Sequence, residues 1–179
     1  MDRASLVATD WLDLALAELL ACGYGALKAQ PLAKKLNVTR GSFYHHFDSL
    51  EDFHEAVIDH WSERTSGQLI RVAQGTADPP KALDELLQKT LQSGEGLERA
   101  IRSWSTVDAR VARAVEKVDQ DRIAVAVALL VANDVPMSDA QARAQLLYWA
   151  AIGRLMLPFP DNNQLSRDQI SDIAQLMLE

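Results

Sequence analysis

The chain has a single cysteine, Cys22, among its 179 residues. One thiol excludes an intramolecular disulfide framework and any metal site built on several cysteines, and it fits a reducing compartment. Glycine and proline are also scarce, with 8 and 6 residues. That scarcity excludes collagen-like and low-complexity chains. No stretch reaches about 18 apolar residues without a charge, so no membrane span is expected. The N-terminus, Met1-Asp2-Arg3-Ala4, lacks a basic region leading into an apolar run, so no signal peptide is expected either. Together these absences point to a cytoplasmic location.

A further absence is local. From Leu19 to Phe47 there is no Asp or Glu, while Lys28, Lys34, Lys35 and Arg40 give that window a charge of +4. The whole chain is at -7, which leaves -11 for everything else. An acidic total argues against nucleic acid only when the charge is evenly spread. Phosphate neutralisation and counterion release need a basic face, not a basic protein.

Forty-eight per cent of the residues are hydrophobic by type, enough to bury a core. Their spacing is helical nearly throughout. The ranges read as helices are 4–22, 29–36, 40–46, 49–74, 81–93, 96–105, 107–132, 138–157 and 166–178, about nine in all. The 107–132 stretch reads as one helix, or as two with a kink near Val118–Asp121. In the first helix Ala8, Leu12, Ala15, Leu16 and Leu19 share a face. Gly23 ends it, Pro31 suits the first turn of the second helix, and Ser49 is the expected cap of the fourth. The fourth helix carries Leu50, Phe53, His54, Val57, Ile58 and Trp61 at helical spacing. No alternating strand pattern is present. The expected fold class is therefore all-α, with an N-terminal three-helix helix-turn-helix domain and a C-terminal helical bundle. The expected division is 1–48 for the first domain, 49–74 for a connecting helix and 75–179 for the bundle. The Gly75–Pro80 run marks the break.

The short helices around Asn37-Val38-Thr39 read as a helix-turn-helix. Ala33, Leu36 and Val38 would pack the pair, and Thr39 would cap the second helix through its side-chain oxygen. Gly41 would let the backbone come close to a phosphate. Arg40, Ser42, Tyr44, His45 and His46 would be presented outward, with Phe43 and Phe47 turned into the core. An exposed helix rich in hydrogen-bonding groups and free of acids suits a nucleic-acid contact. A generic pair of surface helices is the competing reading of the same pattern.

The stretch Gly23 to Phe47, and above all Val38-Thr39-Arg40-Gly41-Ser42-Phe43-Tyr44-His45-His46-Phe47, resembles the DNA-binding core of the TetR family of bacterial transcriptional regulators. The resemblance runs from about Ala8 to Trp61. It implies a homodimer with two DNA-binding heads on a palindromic operator, each with its third helix in the major groove. It implies DNA contacts from Lys28, Thr39, Arg40, Gly41, Ser42, Tyr44, His45 and His46. Arg40 is the candidate for a guanine, because its planar fork matches O6 and N7, with a phosphate contact alone as the alternative, and Tyr44 and His46 are expected to position the backbone rather than read bases. It also implies that a small-molecule effector binds the C-terminal domain and releases a repressor. Three features depart from the family: Lys28 stands where many members cap helix two with Thr or Ser, Leu50 stands where many have a basic residue, and Gln30 and Pro31 are less usual and would alter the angle of helix two.

Trp104 and Trp149 are the candidate walls of an effector pocket, with plain core packing as the alternative. Ala144, Leu147, Ala151, Ile152, Leu155, Ile173 and Met177 form the candidate dimer stripe, with the intrachain core as the alternative. No cofactor or metal is expected: the histidines at 45, 46, 54 and 60 form no i, i+4 pair, and zinc needs about four converging ligands. No phosphate loop, dinucleotide fingerprint or nucleophile elbow is present, so no enzyme is expected. The alternative function is a helical sensor of small molecules or proteins whose head binds DNA weakly or not at all, motivated by the acidic start of the fourth helix. With so few cations on the contact face, DNA binding should depend only modestly on salt. Affinity titrated at several salt concentrations should give a log–log slope well short of about -8, and a slope that steep would contradict the charge reading.

Overall fold

A computed structural model describes residues 6–74, 77–92, 96–157 and 164–179. Within them the chain forms α1 (Ala8–Cys22), α2 (Ala29–Lys35), α3 (Arg40–Tyr44), α4 (Leu50–Gln74), α5 (Pro79–Gln92), α6 (Gly96–Ser105), α7 (Ala109–Ala132), α8 (Met137–Met156) and α9 (Arg167–Leu176), with a 3-10 turn at Tyr24–Ala26. No strand occurs among the described residues. The expected helix start at residue 4, the Gly75-Thr76 part of the break, the Gly94-Glu95 separator and the loop 158–163 lie outside them.

The helix ends follow from local chemistry. Gly23 takes a φ of 75° and returns its N–H to the Leu19 carbonyl, closing α1 where a side chain would be strained. At the start of α4, the Ser49 hydroxyl accepts from the Asp52 N–H at 3.0 Å, as a cap should. Helix α5 begins at Pro79, two residues earlier than the periodicity suggests, because a proline costs nothing in a first turn. Helix α7 runs without a break through Val118–Asp121. No Gly or Pro interrupts it there, and ion pairs Lys117–Asp121 (3.2 Å) and Arg122–Asp119 (3.1 Å) span the expected kink.

The contacts group the chain into two compact units, 1–63 with 96–115 and 64–95 with 116–179. This differs from the division expected at 48 and 75: α6 and the first turns of α7 belong with the N-terminal helices. In the first unit α1 packs against α6, and α2 against α3. The core of α1 is Trp11, Ala15, Leu16 and Leu19, all buried, while Ala8 and Leu12 are only partly covered. Trp11, absent from the expected face, is fully enclosed. From α4 the residues Phe53, Val57, Ile58 and Trp61 enter the same unit's core.

In the second unit Ala82, Leu83 and Leu86 of α5 pack with Ala126, Leu129 and Leu130 of α7 and with Ala140 and Ala144 of α8. Leu87 joins Ile170 and Ala174 of α9. Gln88, the one buried polar side chain recorded in this core, donates to the Arg167 carbonyl at 2.8 Å and so ties α5 to α9. This packing corrects the dimer stripe. Ala144, Ala151 and Leu155 are buried in the chain's own interior, Ile152 is half-buried, and Leu147, Ile173 and Met177 pack against the two clusters. The exposed face of α8 is a different one, with Leu146, Trp149 and Met156 each more than half exposed.

Removing the Ser49 hydroxyl leaves an uncapped N-terminus on α4. Ser49→Ala should lower the unfolding free energy by about 1 kcal/mol in a urea titration, and an unchanged midpoint would show that the cap is energetically idle.

Candidate nucleic-acid interface

Helix α3 has only five residues, so its position depends on what surrounds it. The turn before it is tight. Asn37 takes a φ of 56°, a left-handed conformation that Asn tolerates better than most residues. The Val38 N–H then bonds the Ala33 carbonyl at 3.0 Å. Ala33 is buried, and Leu36 and Val38 are half-buried between the two helices. Phe43 points inward and is fully buried. Its ring meets Trp11 at 5.4 Å, Phe47 at 5.3 Å and Phe53 at 5.0 Å, mostly edge-on.

The opposite side of α3 faces outward. Arg40, Gly41, Tyr44 and His45 are exposed, and Ser42 is half-buried. His46 differs from expectation: it follows the end of α3, is half-buried, and its ring lies 6.4 Å from Trp11. The expected cap is also absent. Thr39 makes no side-chain bond to α3, and its backbone carbonyl accepts from the Ser42 N–H instead. Its hydroxyl is therefore not committed to capping. Lys28 stands at the N-cap of α2 and makes no side-chain cap bond, as its side chain has no acceptor.

Charge on this face is smaller than the count of four suggests. Lys35 Nζ lies 2.5 Å from Glu18 on α1, and that hydrogen bond raises the lysine above its ordinary pKa. Lys28, Lys34 and Arg40 remain exposed cations of the window.

Behind the interface, two histidines fasten α4 to the rest of the unit. His54 Nε2 lies 2.9 Å from the Leu27 carbonyl, which only accepts, so that nitrogen carries the proton. His60 Nε2 lies 2.9 Å from Asp13 on α1. Sequence spacing gave no sign of either bond. No group of three metal-ligating side chains occurs among the described residues.

Residues 12–57 match the sequence model of the bacterial regulatory proteins of the tetR family. Over that stretch, about a quarter of its length, the chain is similar to that family. No curated protein matches it by sequence. Solved structures resemble it along nearly its whole length. A transcriptional regulator from Rhodococcus sp. Rha1 is 16% identical with a TM-score of 0.76, over 97% of this chain and 94% of that one. A TetR transcriptional regulator from Legionella pneumophila is 19% identical with a TM-score of 0.75, over 99% and 100%. The superantigen PfiT is 16% identical with a TM-score of 0.73, over 95% and 94%. At such identities the likeness is one of fold, and the range of names shows why function has to be argued from the site.

The two candidate effector residues part company. Trp104 lies in the first unit, buried, stacked on Tyr24 at 6.3 Å and edge-on to His54 at 5.3 Å. It borders a cleft of about 140 Å³ that His54, Ile58, Asp108, Arg110 and Val111 also line. The Arg110 guanidinium, 3.0 Å from Asp108, holds that carboxyl below its ordinary pKa. Trp149 is 62% exposed, so it is neither core nor pocket wall.

Gly41 offers a test that separates fold from contact. It is not in a left-handed conformation, and a Cβ there would meet only the Thr39 hydroxyl, at 3.6 Å. Nothing inside the chain requires a glycine. Gly41→Ala should leave stability unchanged or raise it by up to about 1 kcal/mol. It should weaken DNA binding where the backbone approaches a phosphate. Equal DNA affinity for the variant would remove Gly41 from the interface.

Proposed function

We propose that this chain is a regulator of the TetR family, a homodimeric repressor that binds a palindromic operator through α3 and is released by a small-molecule effector. The observation that carries the proposal is the α3 surface: a short helix seated on a rigid aromatic core, acid-free, and presenting Arg40, Tyr44 and His45 outward. Chemistry of that kind reads base edges and phosphates. Thr39, Gly41 and Ser42 are assigned to backbone contacts and Lys28 to a phosphate. His46 is assigned a lesser part, because its ring is engaged with Trp11.

Two heads are needed to read a palindrome, and α8 supplies the surface for pairing. Leu146, Trp149, Ala150, Gly153, Met156 and Leu157 fall on one side of it and are all exposed. Large apolar side chains rarely face water in such a contiguous row without a partner. Gly153, which has nothing near it, allows close approach of a second helix. An isologous pairing of this face would give the twofold symmetry that a palindrome demands. No helix among the described residues is long and apolar enough to cross a membrane.

Release follows from geometry. Successive major grooves on one side of DNA are about 34 Å apart. A ligand that binds better to a dimer with another head spacing shifts the population away from the DNA-binding form. The cleft beside Trp104 is the candidate effector site. Its size, below the 300 Å³ or so of an ordinary ligand pocket, points to a small compound.

Two experiments test the proposal. Titration of the protein on its own upstream DNA should give a shift at low salt that the Arg40→Ala, Tyr44→Ala double variant loses. No shift for wild type, or an undiminished one for the variant, would refute operator binding and favour the sensor reading. In light scattering, wild type should show twice the chain mass and Trp149→Glu the single chain mass; a dimeric Trp149→Glu would place the interface elsewhere.

A further inference from the structure

Arg40 and Tyr44 stand at the first and last positions of α3, four residues apart and therefore on one face. The Arg40 Nη2 donates to the Tyr44 hydroxyl at 3.0 Å. The guanidinium carbon is 5.4 Å from the centre of the tyrosine ring. The tyrosine is not itself loose. Its ring stands edge-on against Phe43 at 5.2 Å, and Phe43 is locked into Trp11, Phe47 and Phe53. An unbroken set of contacts thus runs from the head's interior to the end of an exposed arginine.

We propose that Tyr44 is a positioning residue that holds the Arg40 guanidinium ready for a guanine in the operator, so that specificity at that base pair depends on the tyrosine hydroxyl. This rests on the DNA-binding reading above and adds how the site discriminates. A guanidinium has five N–H donors, and a guanine edge takes two, at O6 and N7. One bond to Tyr44 leaves four, so the hydroxyl can hold the fork without competing with the base. A free arginine has rotamer entropy that a contact must overcome, and prior restraint removes part of that cost. The restraint also matters on a face with few cations. Little of the affinity can come from phosphate charge here, so the base contacts must be well placed.

Tyr44→Phe deletes the hydroxyl and keeps the ring against Phe43. The test compares wild type, Tyr44→Phe and Arg40→Ala on DNA selected by wild type from a random pool, and on the same DNA with each guanine replaced in turn by 7-deazaguanine, which lacks the N7 acceptor. Wild type should lose affinity at one guanine per half-site, and Arg40→Ala should be indifferent to that replacement. Tyr44→Phe should bind the selected DNA about three- to tenfold more weakly, with the discrimination at that guanine reduced by the same factor. Its salt slope and thermal midpoint should match wild type.

A Tyr44→Phe protein that discriminates as wild type does would overturn the proposal. A uniform loss on all sequences, with the discrimination at that guanine unchanged, would also overturn it, by making Tyr44 a phosphate contact. Failure of wild type to enrich any sequence would instead overturn the DNA reading beneath it. A second measurement needs no DNA: the Arg40 side-chain nitrogens should be more mobile by NMR relaxation in Tyr44→Phe than in wild type. Equal mobility would overturn the positioning role.

Discussion

The burial of Phe43 is the contact on which the interface depends. A helix of five residues makes too few internal hydrogen bonds to form unaided, since nucleation alone is unfavourable and isolated helices shorter than about 12 residues are marginal in water. What gives α3 a fixed place is one side chain, sealed among Trp11 of α1, Phe47 of the following turn and Phe53 of α4. Edge-to-face rings resist rotation as well as separation, so the cluster sets the helix's orientation along with its position. The outward residues inherit that orientation: with Phe43 turned in, Arg40 and Tyr44 are turned out. The His54 bond to the Leu27 carbonyl and the His60 bond to Asp13 hold α4, and hence Phe53, in register with the rest of the head.

Charge acts on top of this frame. The basic window is acid-free in sequence, yet Glu18 reaches it in space and pairs with Lys35. One of the four cations in that window is therefore already paired with a carboxylate, in a chain whose residues outside it sum to -11. That balance disfavours non-specific DNA through long-range repulsion and leaves recognition to a small number of directed contacts. The same economy explains why an arginine held in place by a tyrosine would be worth having on α3.

Much of this was legible in the chain itself, and the failures have physical reasons. Helix positions followed from apolar spacing and from Gly23 and Ser49, whose effects are local, whereas Pro79 sits in the expected break and instead opens α5. The helix-turn-helix was legible because its signal is a compact run, Val38 to Phe47. Faces were harder. On α1, Trp11 lies one turn from Ala15 and two from Leu19, but the eye is drawn to the more numerous leucines beside them. On α8 the difficulty is intrinsic: apolar residues occur on two sides, so periodicity cannot say which side is interior. Ala140, Ala144, Ala151 and Leu155 are the buried side, and the larger Leu146, Trp149 and Met156 are the exposed one. Small residues there mark tight packing inside the chain, and the bulkier ones stand on the exposed side. Contacts such as Lys35–Glu18 and Arg40–Tyr44 depend on rotamers and on chain crossings, which spacing alone does not encode.

The central claim is that α3 enters the major groove and reads guanine in two symmetric half-sites. Protection of guanine N7 from dimethyl sulfate, on DNA that the protein selects from a random pool, tests it most directly, because N7 is exposed only in the major groove. Two protected clusters related by a twofold axis and about one helical turn apart are expected, and both should be lost with Arg40→Ala. Selected DNA with no protected guanine, or with a single unpaired cluster, would contradict it.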